Sequence, residues 1–241
     1  MLKNIFFVMY FYYHIIGLTS DFQNIRRLKA KGEKQEHQKH IHLLEHKFGS
    51  ALIKRAGITV NVQGLENIPS EAVLFVGNHQ GNFDIPALCM TINRQFGFIV
   101  KKEMKKIPLF NKWISQIESL YLDRENPRES LKTIQEGIEL LKNGYSLTIF
   151  PEGTRSKSAT MGDFKKGSLR LATKSKAPVV PFTINGSYKA FEETGKVRPA
   201  TIDIVIHQPI YTKDMSKEEL EHLSDKVEQI IRDCLNEMNS N

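Results

Sequence analysis

Residues 71–100 read EAVLFVGNHQGNFDIPALCMTINRQFGFIV. Ala72–Gly77 is a short apolar run, which reads as a strand. Gly81-Asn82 supplies turn residues, and a helical pattern follows over 84–93 with Pro86 in its first turn. Phe96–Val100 is a second apolar run. Strand, turn, helix and strand in this order argue for an α/β fold with a mixed, largely parallel sheet flanked by helices. The alternation continues on both sides. Ile58–Val62, Ser119–Leu122, Ser146–Phe150, Pro178–Thr183 and Thr201–Ile206 are further strand candidates, with helices expected at 108–117, 127–143, 164–175 and 216–238. The last helix opens with Ser216-Lys217-Glu218-Glu219, a capping box, and Leu220, Leu223, Val227, Ile231 and Leu235 give it an apolar stripe for core packing. No repeat or low-complexity linker divides the chain. The economical division is a domain over 57–241 preceded by a helical segment over 1–56.

That preceding segment has its own character. Ile5–Leu18 carries no formal charge and is rich in aromatics, Phe6, Phe7, Tyr10, Phe11, Tyr12 and Tyr13 among them. It is short for a membrane span, which needs about twenty apolar residues, and aromatics favour the bilayer interface. Interfacial attachment is the expectation, with a signal anchor or a cleaved signal peptide as alternatives. Lysines and arginines dominate between Asp21 and Arg55 and would be drawn to an anionic membrane surface on the cytoplasmic side. Ile41, Leu44, Phe48, Leu52 and Ala56 recur at helical steps; such a helix either meets the membrane or packs on the domain.

The 241 residues carry a formal charge of +7 with ordinary hydrophobic content of 40%, which favours anionic partners without choosing among them. A nucleic-acid role lacks any recognised motif or basic-aromatic strand pattern. Cys89 and Cys234 have no metal-type spacing and are expected as free thiols in a reducing compartment.

Two stretches carry chemistry. In Asn78-His79-Gln80-Gly81-Asn82-Phe83-Asp84, a regular helix would place His79 and Asp84 about 140° apart, so they meet only if the chain turns between them. Asn82 or Asp84 would then cap the following helix. An aspartate that fixes the tautomer of a histidine is the base-and-orienter half of a triad. No G-x-S-x-G elbow accompanies it, so the hydroxyl to be activated would be the substrate's own. A capping aspartate beside an ordinary loop histidine would leave the same pattern. The second stretch, Phe150-Pro151-Glu152-Gly153-Thr154-Arg155-Ser156, follows a strand and offers a planar guanidinium for phosphate, although a solvated turn with a surface arginine reads alike. A metal-dependent hydrolase with His79, Asp84 and Glu152 as ligands is a rival, weakened by the lack of a second histidine at ligand spacing.

Taken together and in order, the two stretches resemble the glycerolipid acyltransferase family, whose pattern is N-H-x4-D followed by F-P-E-G-T-R-S. Ser119-Leu120-Tyr121-Leu122-Asp123-Arg124 and Val179-Val180-Pro181-Phe182 are similar to its other two blocks, and Lys101-Lys102-Glu103 and Phe164-Lys165-Lys166-Gly167 also look like family sequence. The resemblance covers about 57–210. It implies His79 as general base with Asp84 as its partner, and an acceptor phosphate bound by Arg124, Glu152, Gly153, Thr154 and Arg155, with Lys102 adding charge. It implies acyl transfer from a thioester, acyl-CoA or acyl carrier protein, onto a lysophospholipid. Lysophosphatidate is the expected acceptor; glycerol-3-phosphate and other lysophospholipids are the alternatives. No metal or other cofactor is expected. Backbone amides near His79 or Gly153 are candidate oxyanion donors.

Overall fold

Strand β2 (Leu74–Gly77) is buried at every position, and the side chains around it alternate between two separate cores: Val73 and Phe75 enter one, Leu74 and Val76 the other. A strand covered on both faces belongs in the interior of a parallel sheet. β2 pairs in parallel with β5 (Ser146–Ile149) on one side and β6 (Val179–Asn185) on the other. The computed structural model describes residues 2–165 and 167–240. Its seven-stranded sheet has the order β1-β7-β6-β2-β5-β3-β4, with β1 (Thr59–Gln63), β3 (Phe96–Lys101), β4 (Leu120–Leu122) and β7 (Thr201–Ile206) completing it. Only the β6–β7 pairing is antiparallel.

Nine helices are described: α1 (Leu2–Gly17), α2 (Thr19–Lys31), α3 (Lys34–Ala56), α4 (Asp84–Thr91), α5 (Phe110–Gln116), α6 (Pro127–Lys142), α7 (Arg170–Ser175), α8 (Lys217–Glu221) and α9 (Leu223–Ser240). Helices α1 to α5 cover one face, packing Ile15, Leu44, Phe48, Leu88 and Trp113 with Phe75, Phe96 and Phe182 of the sheet. Helices α6, α7 and α9 cover the other, packing Ile138, Leu171, Val227 and Ile231 with Leu74, Leu147 and Val179. The stripe Ile41, Leu44, Phe48, Leu52 and Ala56 of α3 is therefore a core face. At about 1.5–3 kcal/mol for each large apolar side chain buried, that contact decides where the helix lies. The core thus runs unbroken across residues 56 and 57. Cys89 in α4 and Cys234 in α9 are both free thiols.

Some expected elements change. Of the helix anticipated over 164–175 only α7 forms; Lys166 lies outside the described residues. The N–H groups ahead of α7 go elsewhere: that of Gly162 to Glu152, that of Phe164 to Glu228 and that of Lys165 to the Pro151 carbonyl. The helix anticipated over 216–238 is two, broken at His222, with the Ser216–Glu219 capping box present. Neither Asn82 nor Asp84 caps α4: Phe83, which has no side-chain acceptor, stands at the N-cap, while Asn82 Oδ1 accepts from Arg155 and the Asp84 carboxylate turns back onto the Gln80 and Gly81 N–H groups. Among the described residues no single helix is long and apolar enough to cross a membrane. Helices α1 and α2 reach that length and composition together but are bent by 42°.

Candidate active site

Strands β2 to β6 are mutually parallel, so their C-terminal ends share one edge of the sheet. In such sheets ligands bind beyond that edge. The loops found there carry His79 after β2, Arg124 after β4, the 150–157 stretch after β5 and a long loop over 186–200 after β6. Parallel topology thus gathers residues that are distant in sequence.

The chain after β2 turns through Asn82 and Phe83, and His79 meets Asp84: Nδ1 lies 2.6 Å from Oδ2. Asp84 is fully buried, while the His79 side chain keeps 18% exposure. The same Oδ2 accepts the backbone N–H groups of Gln80 at 2.7 Å and Gly81 at 2.9 Å. A carboxylate only accepts, so Nδ1 donates and Nε2 carries the lone pair. Nε2 makes no hydrogen bond among the described residues. The imidazole stacks on Phe150 with ring centroids 4.1 Å apart, which fixes its plane.

Glu152 sits behind this histidine. One carboxylate oxygen accepts the His79 N–H at 2.6 Å and the other the Gly162 N–H at 2.7 Å. Burial pushes its pKa up and the two N–H groups oppose the shift. The loops are also joined directly, Ser156 N–H to the His79 carbonyl at 2.8 Å and Lys157 N–H to the Gln80 carbonyl at 3.1 Å. With Asn82 N–H given to Glu192 at 2.8 Å, three buried carboxylates take all four consecutive N–H groups from His79 to Asn82. The Gly153 N–H is taken by the Phe150 carbonyl. None of the amides expected as oxyanion donors at these positions is therefore free. Nor does Glu152 join His79 and Asp84 in a ligand set; among the described residues no three His, Cys, Asp or Glu side chains converge in that way.

Arg124 and Arg155 flank the histidine. Arg124 donates to the Gly153 carbonyl; burial holds its pKa below the usual value against the pull of Glu103. Gly153 has φ +75°, a left-handed conformation that favours glycine, and the Arg124 guanidinium packs where a Cβ would stand. Arg155 Nη1 donates to Asn82 Oδ1 and, at 2.9 Å, to Glu192. Thr154 is exposed beside them. Lys102 is not brought to this group: its ammonium is paired with Asp123 at 2.9 Å and Glu125 at 2.7 Å. It stands one residue past the strand end, whereas Lys101, the last residue of β3, lines the site. Glu192 escaped notice in the sequence because it sits in a polar loop without periodicity; its place after β6, beside β2, was the available signal.

His79, Arg124, Gly153, Thr154 and Arg155 stand at one end of a cavity of about 620 Å³. Its remaining walls are largely apolar, with Phe98, Val100 and Ile107 from the sheet side and Phe7, Phe11 and Phe48 from α1 and α3. Phe7 makes an edge contact with Phe83 at 5.5 Å and Phe11 packs on Phe110 at 5.5 Å. The aromatic N-terminal run therefore divides: Phe7 and Phe11 build the cavity, while Phe6 and Tyr13 face outward.

The histidine of a base-and-orienter pair and two arginines thus line one apolar cavity on this sheet. The chain belongs to the acyltransferase family, whose sequence model matches residues 59–185. Among characterised proteins it is 36% identical over 156 residues to the chloroplastic 1-acyl-sn-glycerol-3-phosphate acyltransferase of Arabidopsis thaliana, covering 63% of this chain and 44% of that one. It is 32% identical over 197 residues to the 1-acyl-sn-glycerol-3-phosphate acyltransferase of Cocos nucifera, covering 81% and 64%. The matches thus span 44–64% of these relatives' own length. The crystal structure of the 1-acyl-sn-glycerophosphate acyltransferase PlsC from Thermotoga maritima aligns over all of this chain and 98% of that one, with a TM-score of 0.79 and 30% identity.

Proposed function

We propose that this chain transfers a fatty acyl group from an acyl thioester to the sn-2 hydroxyl of 1-acylglycerol-3-phosphate, giving phosphatidic acid. The observation that carries the reading is the His79–Asp84 pair at 2.6 Å on the rim of an apolar cavity that Arg124 and Arg155 also line. The arginines hold the acceptor phosphate by charge-assisted hydrogen bonds and so fix the hydroxyl, converting an encounter into a positioned reaction. Nε2 of His79 removes the hydroxyl proton as the oxygen attacks the thioester carbonyl, and Asp84 stabilises the imidazolium that forms. The C–O bond forms, the C–S bond breaks, and the departing thiolate takes the proton back from His79. These steps use side chains of this chain alone. The donor is acyl-CoA or acyl carrier protein, and the apolar cavity takes an acyl chain. Glu152, with both oxygens on backbone N–H groups, serves by holding the His79 loop.

The membrane is the natural site of such a substrate. Leu2, Ile5, Phe6, Met9, Tyr13 and Ile16 form an exposed apolar stripe on α1, and exposed Arg27, Lys54 and Arg55 lie on α2 and α3. This face supports peripheral or monotopic attachment to the cytoplasmic leaflet, with residues 1–56 assigned to attachment and 57–241 to the chemistry. The test is thiol release from palmitoyl-CoA or palmitoyl-acyl carrier protein with lysophosphatidate, glycerol-3-phosphate or lysophosphatidylcholine as acceptor and His79→Ala as blank. Release that needs lysophosphatidate and His79 is expected. Release with another acceptor alone would move the acceptor assignment; none with either donor would overturn the reading.

A further inference from the structure

Arg155 reaches the site from the loop after β5, on a long side chain that loses considerable freedom when fixed. What fixes it is Glu192, from a loop with no other part in the chemistry. The Glu192 side chain is 3% exposed. Its Oε1 accepts Arg155 Nη1 at 2.9 Å and the Asn82 backbone N–H at 2.8 Å, and Nη1 also donates to Asn82 Oδ1. Arg155, Asn82 and Glu192 therefore close a triangle among the loops after β5, β2 and β6. The carboxylate packs directly on the histidine loop: a Cβ at Gly81 would lie 2.6 Å from Oε2, which is itself buried without a partner. Only Nη1 of the guanidinium is used, so Nε and Nη2 make no hydrogen bond among the described residues. The Glu192 loop is held at its other end by Asn4 of α1, which accepts the Val197 N–H at 3.0 Å and donates to the Gly195 carbonyl at 2.6 Å.

We propose that Glu192 is a positioning residue for the acceptor: it clamps Arg155 by one nitrogen against the loop that carries His79, leaving the free edge of the guanidinium to meet the phosphate. The inference rests on the proposed acceptor chemistry. Burying a carboxylate costs energy, and here burial pushes its pKa up while the Asn82 N–H and then Arg155 oppose the shift. A buried carboxylate paired with an arginine at a cavity mouth is better explained by placement of that arginine than by stability, since one buried ion pair is a weak stabiliser.

The experiment is a double-mutant cycle of Glu192→Gln with Arg155→Ala, using steady-state thiol release in the full-length protein with lysophosphatidate varied. Glu192→Gln should raise the acceptor KM about tenfold, as loss of one charge-assisted bond does, and leave the thioester KM unchanged. In the Arg155→Ala background the same substitution should do almost nothing, because the group it positions has gone. Glu192→Asp should recover part of the affinity. Equal effects in both backgrounds, or a shift confined to the thioester KM, would overturn the proposal. Melting temperatures of the four proteins guard against a folding defect: a Glu192→Gln protein that loses activity only because it unfolds also overturns it. The acceptor reading is tested separately by the wild type. Turnover with a different acceptor moves that reading, and the cycle is then decided on that acceptor; a wild type silent with every acceptor ends both.

Discussion

Asp84 is asked to do two things with one oxygen. Its Oδ2 takes the N–H groups of Gln80 and Gly81, which shape the turn, and Nδ1 of His79, which sets the tautomer. Replacing it by Asn leaves an oxygen for some of these bonds but removes the charge that favours an imidazolium and permits the wrong tautomer. Asp84→Asn should therefore lower kcat by about 10³–10⁴-fold with little change in either KM, read by thiol release under saturating donor and acceptor. A loss smaller than tenfold would mean that His79 is not the base. Glu45 offers a different test. It is fully buried in α3, with one oxygen on the Phe96 N–H at 3.4 Å and the other without a partner. Burial raises its pKa well above the ordinary value near 4.5. Above that value the unfolded chain gives up the proton more readily than the folded one, so stability falls as pH rises toward the raised pKa. Glu45→Gln should match the wild type below about pH 4.5, where the carboxyl is protonated in both states, and be the more stable protein by pH 8, seen as a widening gap in chemical-denaturation midpoints. A gap independent of pH would show that Glu45 does not titrate there.

At the scale of elements, α3 and α4 approach each other backbone to backbone at Gly49. A Cβ on Gly49 would lie 2.7 Å from the Met90 backbone nitrogen and 2.9 Å from Cys89 Cβ. Neither neighbour can swing aside as a flexible side-chain end could. Gly49→Ala should cost about 1–3 kcal/mol, lowering the melting temperature by roughly 2–4 °C per kcal/mol for a chain of this size. Because α4 begins at Asp84, the strain should also reach the His79–Asp84 pair. Activity should fall more than the change in folded fraction accounts for. An unaltered specific activity would show that α4 yields without moving its first turn.

For the whole molecule, α1 combines two jobs on opposite faces. Its inner face closes the cavity with Phe7 and Phe11, and its outer face bears Phe6, Met9 and Tyr13 in solvent. Phe6→Asp with Met9→Asp should abolish co-sedimentation with vesicles of phosphatidylcholine and phosphatidylglycerol. The same variant should keep its turnover on detergent-dispersed lysophosphatidate. Deleting 1–20 should remove both, because the cavity loses a wall. Retained vesicle binding in the double Asp variant would transfer the attachment to the basic residues of α2 and α3.

Local order was legible because it has local causes. Apolar runs between turn residues marked all seven strands, and the Ser216–Glu219 box marked a helix start, since burial period and capping act over a few neighbours. The His79–Asp84 pairing was legible for the same reason: only a turn between them brings the two together, and the chain makes it one residue beyond the expected Gly81-Asn82, through Asn82 and Phe83. Tertiary structure alone decided what depends on which strand lies beside which. Parallel pairing put Glu192 beside Arg155 and turned the Glu152 oxygens onto backbone N–H groups. It left Lys102 outside the site and drew Lys101 in. It also divided the aromatic run of α1 between cavity and surface. A side chain's partner across tens of residues is set by packing and strand order, and no local period in the sequence carries that information.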